Sequence, residues 1–539
     1  MHMTDIAIHA SAKEDRRLIR SLTWVDAFWV TSGVPALVLF TIGPIAATAG
    51  NASVAVWTAS ILMGFIQAFT YGEIASLFPH KSGGASVYGA IAWVRYSKLL
   101  APISVWCNWF AWSPVLAIGV SLGAGYILSV LFPADSVVNS WQLTLVDLGW
   151  LRTGLTLRVN ATFLLGLVLM LIVFAIQHRG ILSTARLQKI FAISSLLPLI
   201  LIGIVPLITG DVVSSNFTPF VPLTHDAAGN AVNGAWNWQG VVVIAGSMLM
   251  AAWSTYGFET AVCYTREFKN PAADTFKALL YSGLFCLAIF TLVPLAFQGV
   301  LGLSGMLAPD IYSGMGVAKA MAAMVHAGGI MTNVIVVMLV CTLLLSIMTA
   351  MAGSSRTLYQ GAVDGWLPRY LDHVNEHGAP TRAMWTDLGF NLILLLLSDI
   401  VFILAASNVG YIIFIFMNLN SGWIHRIDRK NWARPFRAPN WLLAAGTFLA
   451  YVNLVFLGMG ADIWGEGTLL TGLFFAALIL PVFVFRHYIQ DKGHFPEAMK
   501  EDMYLGHEEG ASTNAGILPF VALAAGCGVV AISHWLATS

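Results

Sequence analysis

Apolar residues run along the chain in thirteen long stretches separated by short polar segments. They centre on residues 22–49, 52–77, 101–132, 157–177, 188–209, 238–264, 275–302, 326–353, 383–401, 402–422, 440–461, 466–486 and 515–537. A helix needs about 20 apolar residues to cross a hydrocarbon core, so each stretch reads as a membrane span. No intervening segment is long enough for a soluble domain. Two stretches are interrupted. The first carries Thr31, Ser32, Gly33, Val34 and Pro35, and the sixth carries Trp253, Ser254, Thr255, Tyr256, Gly257, Phe258 and Glu259. Glycine weakens a helix, and a carboxylate with several hydroxyls is expensive in lipid unless it faces water, protein or a ligand. Backbone freed at such breaks must find partners, and paired breaks in corresponding halves of a chain point to a transporter site at the bilayer midplane.

Composition agrees with this pattern. Of 539 residues, 58% are hydrophobic and only 10% charged, which excludes an ordinary soluble protein. The formal net charge is zero, so there is no bulk electrostatic case for nucleic acid. Cys107, Cys263, Cys286, Cys341 and Cys527 all sit in apolar stretches without metal-ligand spacing, and read as small buried residues. The polar start of the chain has no cleavable signal pattern, so the first span is expected to remain.

Basic residues set the expected orientation. With the N-terminus in the cytoplasm, 24 of the 27 lysines and arginines fall in cytoplasmic segments, leaving only Arg152, Arg158 and Lys319 outside. The first interrupted span then runs outward and the sixth inward. Spans 1–5 and 6–10 would therefore be related by an inverted repeat, with the two breaks facing each other across a substrate. The expected plan is a cytoplasmic N-terminal tail at 1–21, a ten-helix transport core at 22–422 and two peripheral spans at 423–490. A charged, solvated cytoplasmic linker at 491–514 and an extra C-terminal span at 515–539 complete it.

The breaks supply the candidate chemistry. Pro35 suits the first turn of an outer half-helix, whose free amides and positive dipole end would seat a substrate carboxylate. Carbonyls near Val30 and Thr31 would take an ammonium group or a cation. Trp253 offers a large amphipathic face to cover or stack on a substrate. Thr31, Ser32, Gly33, Val34, Trp253, Ser254, Thr255, Tyr256 and Gly257 are thus the candidate substrate-binding residues. On span 3, Trp106, Asn108, Trp109, Trp112 and Ser113 line either the pathway or the helix packing. Ser346 and Thr349 share a face of span 8 and, with carbonyls of the first break, form a candidate sodium site. Glu259 is the candidate proton-coupling carboxylate. Glu73, Asp26 and Asp387 are placed near the cytoplasmic face, Glu73 as a solvated or salt-bridged gate residue and the other two with no functional role.

Several loops resemble the amino acid–polyamine–organocation superfamily of permeases. Phe78-Pro79 with Gly83-Gly84 and Tyr88 is similar to its FP…GG…Y signature, and Gly180-Ile181 with Ala185–Gln188 to its loop between spans 4 and 5. Gly257-Phe258-Glu259 with Glu267-Phe268-Lys269-Asn270-Pro271 resembles its GFE…E…KNP pattern. Gly353–Tyr359 with Asp364–Pro368, and Arg434–Pro439, resemble the SSR.LY…DG.LP and PRPFR.P loops. The likeness covers roughly residues 20 to 490. The family's first break usually reads GSG[IV], and here it is Thr31-Ser32-Gly33-Val34. Some relatives carry a lysine on span 5 at a cation position, where this chain is expected to place Ser195. The thirteenth span is extra to the usual twelve.

The resemblance implies an all-α polytopic fold with a five-plus-five inverted repeat, broken helices 1 and 6 and about three peripheral spans. It implies secondary transport of an amino acid across the cell membrane by alternating access, as symporter or antiporter, with no cofactor beyond a coupling proton or sodium ion. A polyamine or other small-metabolite exchanger of the same fold is the alternative. ATP-driven pumping lacks a GxxxxGK[ST] loop, an intramembrane enzyme lacks an HExxH or nucleophile-elbow sequence, and a channel would conduct without saturating. The expected partners are a small substrate and the lipid bilayer; sequence does not set the oligomeric state.

Overall fold

The computed structural model describes residue 18 and residues 20–133, 135–150, 152, 154–226, 231–504 and 513–539. Helices occupy all thirteen apolar stretches. Among the described residues, ten helical stretches are long and apolar enough to cross a bilayer, and Trp24–Ser76, 53 residues long, counts as one of them while holding the first two apolar stretches. The helices that position the site are α1 (Trp24–Thr31), α2 (Val38–Ala49), α3 (Ser53–Ser76), α4 (Ala85–Trp93), α5 (Ala101–Trp112), α6 (Val115–Leu131), α7 (Ala161–Gln177) and α8 (Ile181–Thr209). They continue as α9 (Trp238–Thr255), α10 (Pro271–Met306), α11 (Ile330–Val363), α12 (Thr381–Leu396), α13 (Ile400–Asp428) and α14 (Asn440–Gly460). The chain closes with α15 (Thr468–Ala477), α16 (Ile479–Val484), α17 (Glu497–Tyr504) and α18 (Leu518–Thr538). Strand is confined, among the described residues, to two small antiparallel hairpins in loops, Gln142–Asp147 with Thr156–Asn160 and Leu223–His225 with Ala231–Asn233.

Local chemistry sets the helix starts. Thr23 and Asp26 form a reciprocal capping box that opens α1, which gives Asp26 a structural role. Asn160, Asn237 and Asp399 cap α7, α9 and α13 through Phe163, Gly240 and Phe402 amides. Pro271 occupies the first turn of α10. Between α2 and α3 the chain turns at Gly50, whose φ of 58° suits glycine.

The core is one continuous apolar cluster drawn from nearly every helix. Six carboxylates are buried in it among the described residues: Glu73, Glu259, Glu267, Asp364, Asp387 and Asp502. Four meet cations, as buried charge requires. Glu73 pairs with Arg426 at 2.6 Å, Glu267 with Arg356, and Lys81 with both Asp364 and Asp502. Glu73 is therefore salt-bridged, not solvated.

The segment after α16 departs from expectation. A charged run reads as solvated, yet Phe495 and Met499 are buried, Asp491 bridges Arg369 and Arg486, and Asp502 on α17 reaches His80 and Lys81. Apolar residues interleaved with the charges dock this segment on the loop after α3 and the end of α11.

Candidate functional site: two helix breaks beneath a tryptophan

The first interruption is a tightening of the helix. α1 stops at Thr31, Ser32 and Gly33 keep right-handed backbone, and a 3₁₀ turn over Val34–Leu37 leads into α2. Pro35 lies in that turn and has no amide to donate. The Gly33 and Val34 amides take part in no backbone hydrogen bond with the preceding helix. Gly33 packs against α11, where a Cβ would lie 2.4 Å from the Leu345 carbonyl oxygen. Glycine is thus required there for the close contact between helices. Thr31 turns to Ser282 at 2.8 Å, and the Ser32 hydroxyl donates to the Trp29 carbonyl.

The second interruption ends α9 at Thr255, after which Gly257–Glu267 winds as a 3₁₀ helix. Trp253 is fully buried and its indole N–H donates to the Ala111 carbonyl at 3.0 Å, with Trp112 and Phe40 rings 6.2 and 5.8 Å away. Ser254 bonds Thr41 on α2, Thr255 bonds Ser60 on α3, and the Tyr256 hydroxyl donates to Asn453 on α14. All three polar side chains therefore tie helices together. Gly257 faces the first break: a Cβ there would meet Trp112, Val34 and Leu37 at 2.6, 3.0 and 3.2 Å.

Between the breaks lies a cavity of about 10 Å³, room for about one water molecule. Val34, Leu37, Trp112, Val115, Thr260, Ser346, Thr349 and Ala350 line it. Of the sequence candidates, Val34, Ser346 and Thr349 reach this space and Gly257 borders it. Trp112 was one of several aromatic positions on span 3. Leu37, Val115, Thr260 and Ala350 carry no signal in the sequence, because small or apolar residues in a span look alike whichever way they face. A larger cavity of about 730 Å³ opens on one side, with Thr48, His225, Gln239, Asp462 and Trp464 in its wall. At the end that carries Lys81, the space is closed by the Arg356–Glu267 and Lys81–Asp364 pairs and by the Tyr88 hydroxyl donating to the Val262 carbonyl.

Residues 22–488 match the family described as amino acid permease. The chain belongs to that family. A branched-chain amino acid permease of Lactococcus lactis subsp. cremoris is 22% identical over 428 residues, 77% of this chain and 83% of that protein. An uncharacterised transporter of Legionella pneumophila is 26% identical over 379 residues, 68% of this chain and 71% of the other. The branched-chain amino acid permease of Bacillus subtilis is 26% identical over 355 residues, 63% and 66% of the two chains. The protein is an amino acid transporter of this all-α membrane family and not an enzyme.

In this permease the candidate cation position is already served by protein. The Val30 carbonyl accepts from Thr349 Oγ1, and Gln188 Nε2 donates to both Val30 O at 3.2 Å and Thr349 Oγ1 at 3.3 Å. Ser346 Oγ is buried without a partner. The side chain of Ser195, expected opposite this point, lies outside the described residues. Gln188 sits about two helical turns before it on α8, and its amide supplies the donors.

Two buried carboxylates lack a cation, and one helix holds both. Trp112 Nε1 on α5 donates to Glu259 Oε1 at 3.1 Å, and Trp109 Nε1, one turn earlier, donates to Asp387 Oδ1 at 2.9 Å. Asp387 also accepts from Ser113 and Ser354, so it joins α12 to α5 and α11. The residue is fully buried, and these hydrogen bonds give it a structural role. Glu259 has that one indole donor against three for Asp387, and its Oε2 is left without any protein donor.

Proposed function

We propose that the permease moves a neutral amino acid with a branched apolar side chain by alternating access, around a site between the two helix breaks. The observation that carries this reading is the lining of the central cavity. Val34, Leu37, Val115, Ala350 and the Trp112 ring present apolar surface where a substrate side chain would lie, and no cation lines it. The names of two relatives, both branched-chain amino acid permeases, support the same class.

The free amides of Gly33 and Val34, at the start of the turn into α2, would take the substrate carboxylate. The ammonium group would face the carbonyl end of α9, where the helix dipole is negative. With about 10 Å³ between the breaks, the conformation is closed, and binding needs the two breaks to separate. The five-plus-five inverted repeat of the sequence analysis remains the proposed frame for that motion, with the N-terminus on the cytoplasmic side of the cell membrane.

For coupling, the Gln188 amide on Val30 and Thr349 speaks against a sodium ion there, since the ion would have to displace a donor already in place. Glu259, buried and without a counter-charge next to the second break, is the proposed proton carrier. A thermal-shift screen of the purified permease against amino acids, polyamines and nucleobases tests the substrate class. Leucine, isoleucine and valine should raise the melting temperature. A shift with putrescine or arginine alone would replace this reading by an amine exchanger.

A further inference from the structure

Around the second break, buried polar atoms without protein partners gather from three helices and the 3₁₀ segment that carries Glu259. They are both amide atoms of Gln67 and the Tyr71 hydroxyl on α3, Glu259 Oε2 beside α9, the Tyr411 hydroxyl on α13 and Asn453 Nδ2 on α14. Gln67, Tyr411 and Asn453 are fully buried, Tyr71 is 2% exposed and Glu259 1%. Tyr71 and Tyr411 lie within electrostatic reach of Glu259, and Tyr256 adjoins both Gln67 and Asn453. Orphaned polar groups are rare in protein interiors, and one buried water bonds about three of them. Six in one place, four able to donate and the carboxylate able only to accept while charged, describe a site for water.

We propose that these groups enclose a chamber of ordered water that solvates Glu259 and forms the proton's route, separate from the path of the amino acid. On release, the carboxyl O–H bond breaks as an O–H bond forms to the nearest water. The excess proton passes along the cluster and leaves at its far end, so no net water is consumed. Thr70 Oγ1, also buried and unpartnered, continues the polar line along α3 toward the Glu73–Arg426 pair. The titratable groups around Glu259 are Tyr71 on α3, Cys263 and Tyr264 on its own segment and Tyr411 on α13, with the non-titrating Trp112 donor on α5. No cation touches the carboxylate, so water is the group left to stabilise its charge.

This rests on Glu259 as the proton carrier, and the experiment separates the two claims. The permease is reconstituted in liposomes loaded with a pH-sensitive dye, and leucine-evoked proton flux is compared with leucine exchange. Gln67→Leu and Tyr71→Phe should keep exchange within about twofold and lower proton flux about tenfold, while Glu259→Gln abolishes the flux. Full flux in the first two variants, with none in Glu259→Gln, overturns the water route and spares Glu259. Full flux in all three overturns both. Should either variant lose exchange, a high-resolution structure of the unmodified protein decides: water density within hydrogen-bonding distance of Glu259 Oε2 and the Tyr71 hydroxyl supports the chamber, and a dry site overturns it.

Discussion

Trp112 donates its indole N–H to Glu259 across 3.1 Å, joining the wall of the central cavity to the carboxylate beside the second break. The same ring lines the cavity and stands over Gly257. One side chain therefore shapes the cavity proposed for substrate and holds the acid. Movement of the break would alter both at once, which is what coupling requires.

Trp112→Ala should enlarge the cavity and loosen its fit to branched side chains. Affinity for leucine is expected to fall about tenfold, roughly 1.4 kcal/mol, with phenylalanine or tryptophan becoming accepted. Competition binding with a panel of neutral amino acids measures this. An unchanged order of preference would remove Trp112 from the specificity wall.

Trp253 is fixed by the Ala111 carbonyl and packs on Trp112. Trp253→Ala should weaken substrate binding by about 1–3 kcal/mol by removing the ring that supports Trp112 in the cavity wall. Isothermal titration of the purified variant gives the number.

The two glycines separate fold from site. Gly33→Val should lower thermal stability even without substrate, because its side chain would enter the α11 backbone at Leu345. Gly257→Ala should insert and purify, yet lose substrate binding, because its methyl group meets Trp112, Val34 and Leu37. Melting curves with and without leucine distinguish these outcomes.

The Gln188 amide predicts sodium-independent uptake. Exchanging sodium for choline should leave the rate unchanged in the unmodified permease. Gln188→Ala removes the amide donor from Val30 O and Thr349 Oγ1, near the already unpartnered Ser346 hydroxyl, and sodium stimulation appearing only in that variant would show what the amide replaces.

Burial alone would raise the Asp502 carboxyl, but the hydrogen bond from His80 and the Lys81 ammonium outweigh it and hold it below the usual carboxylate range. A carboxyl lowered in the folded state contributes stability above its unfolded pKa and loses it as pH falls through the folded value. Docking of α17 should therefore persist at neutral pH and fail only in acid. Asp502→Asn should speed hydrogen exchange across residues 495–504 about tenfold at pH 7, as read by mass spectrometry.

The positions of the breaks were legible in the sequence because glycine, proline and clustered hydroxyls are conspicuous in an apolar run. Helices in every apolar stretch were legible for the same reason. What each polar residue touches was not. Ser254, Thr255 and Tyr256 share one turn yet reach three different helices, a matter of packing that no single span records. Asp387 could be read only as close to the cytoplasmic face, because its partners Trp109, Ser113 and Ser354 come from residues far away in sequence. Gln188 was visible only as part of a loop motif, since its contacts with Val30 and Thr349 depend on how α8 crosses α1 and α11.

The most direct test of the account is uptake of labelled leucine by the purified permease in liposomes. Uptake should saturate, be competed by isoleucine and valine but not by arginine or putrescine, and be absent from Gly257→Ala. Flux that rises linearly with leucine concentration, or that persists unchanged in Gly257→Ala, would contradict a transport site between the two helix breaks.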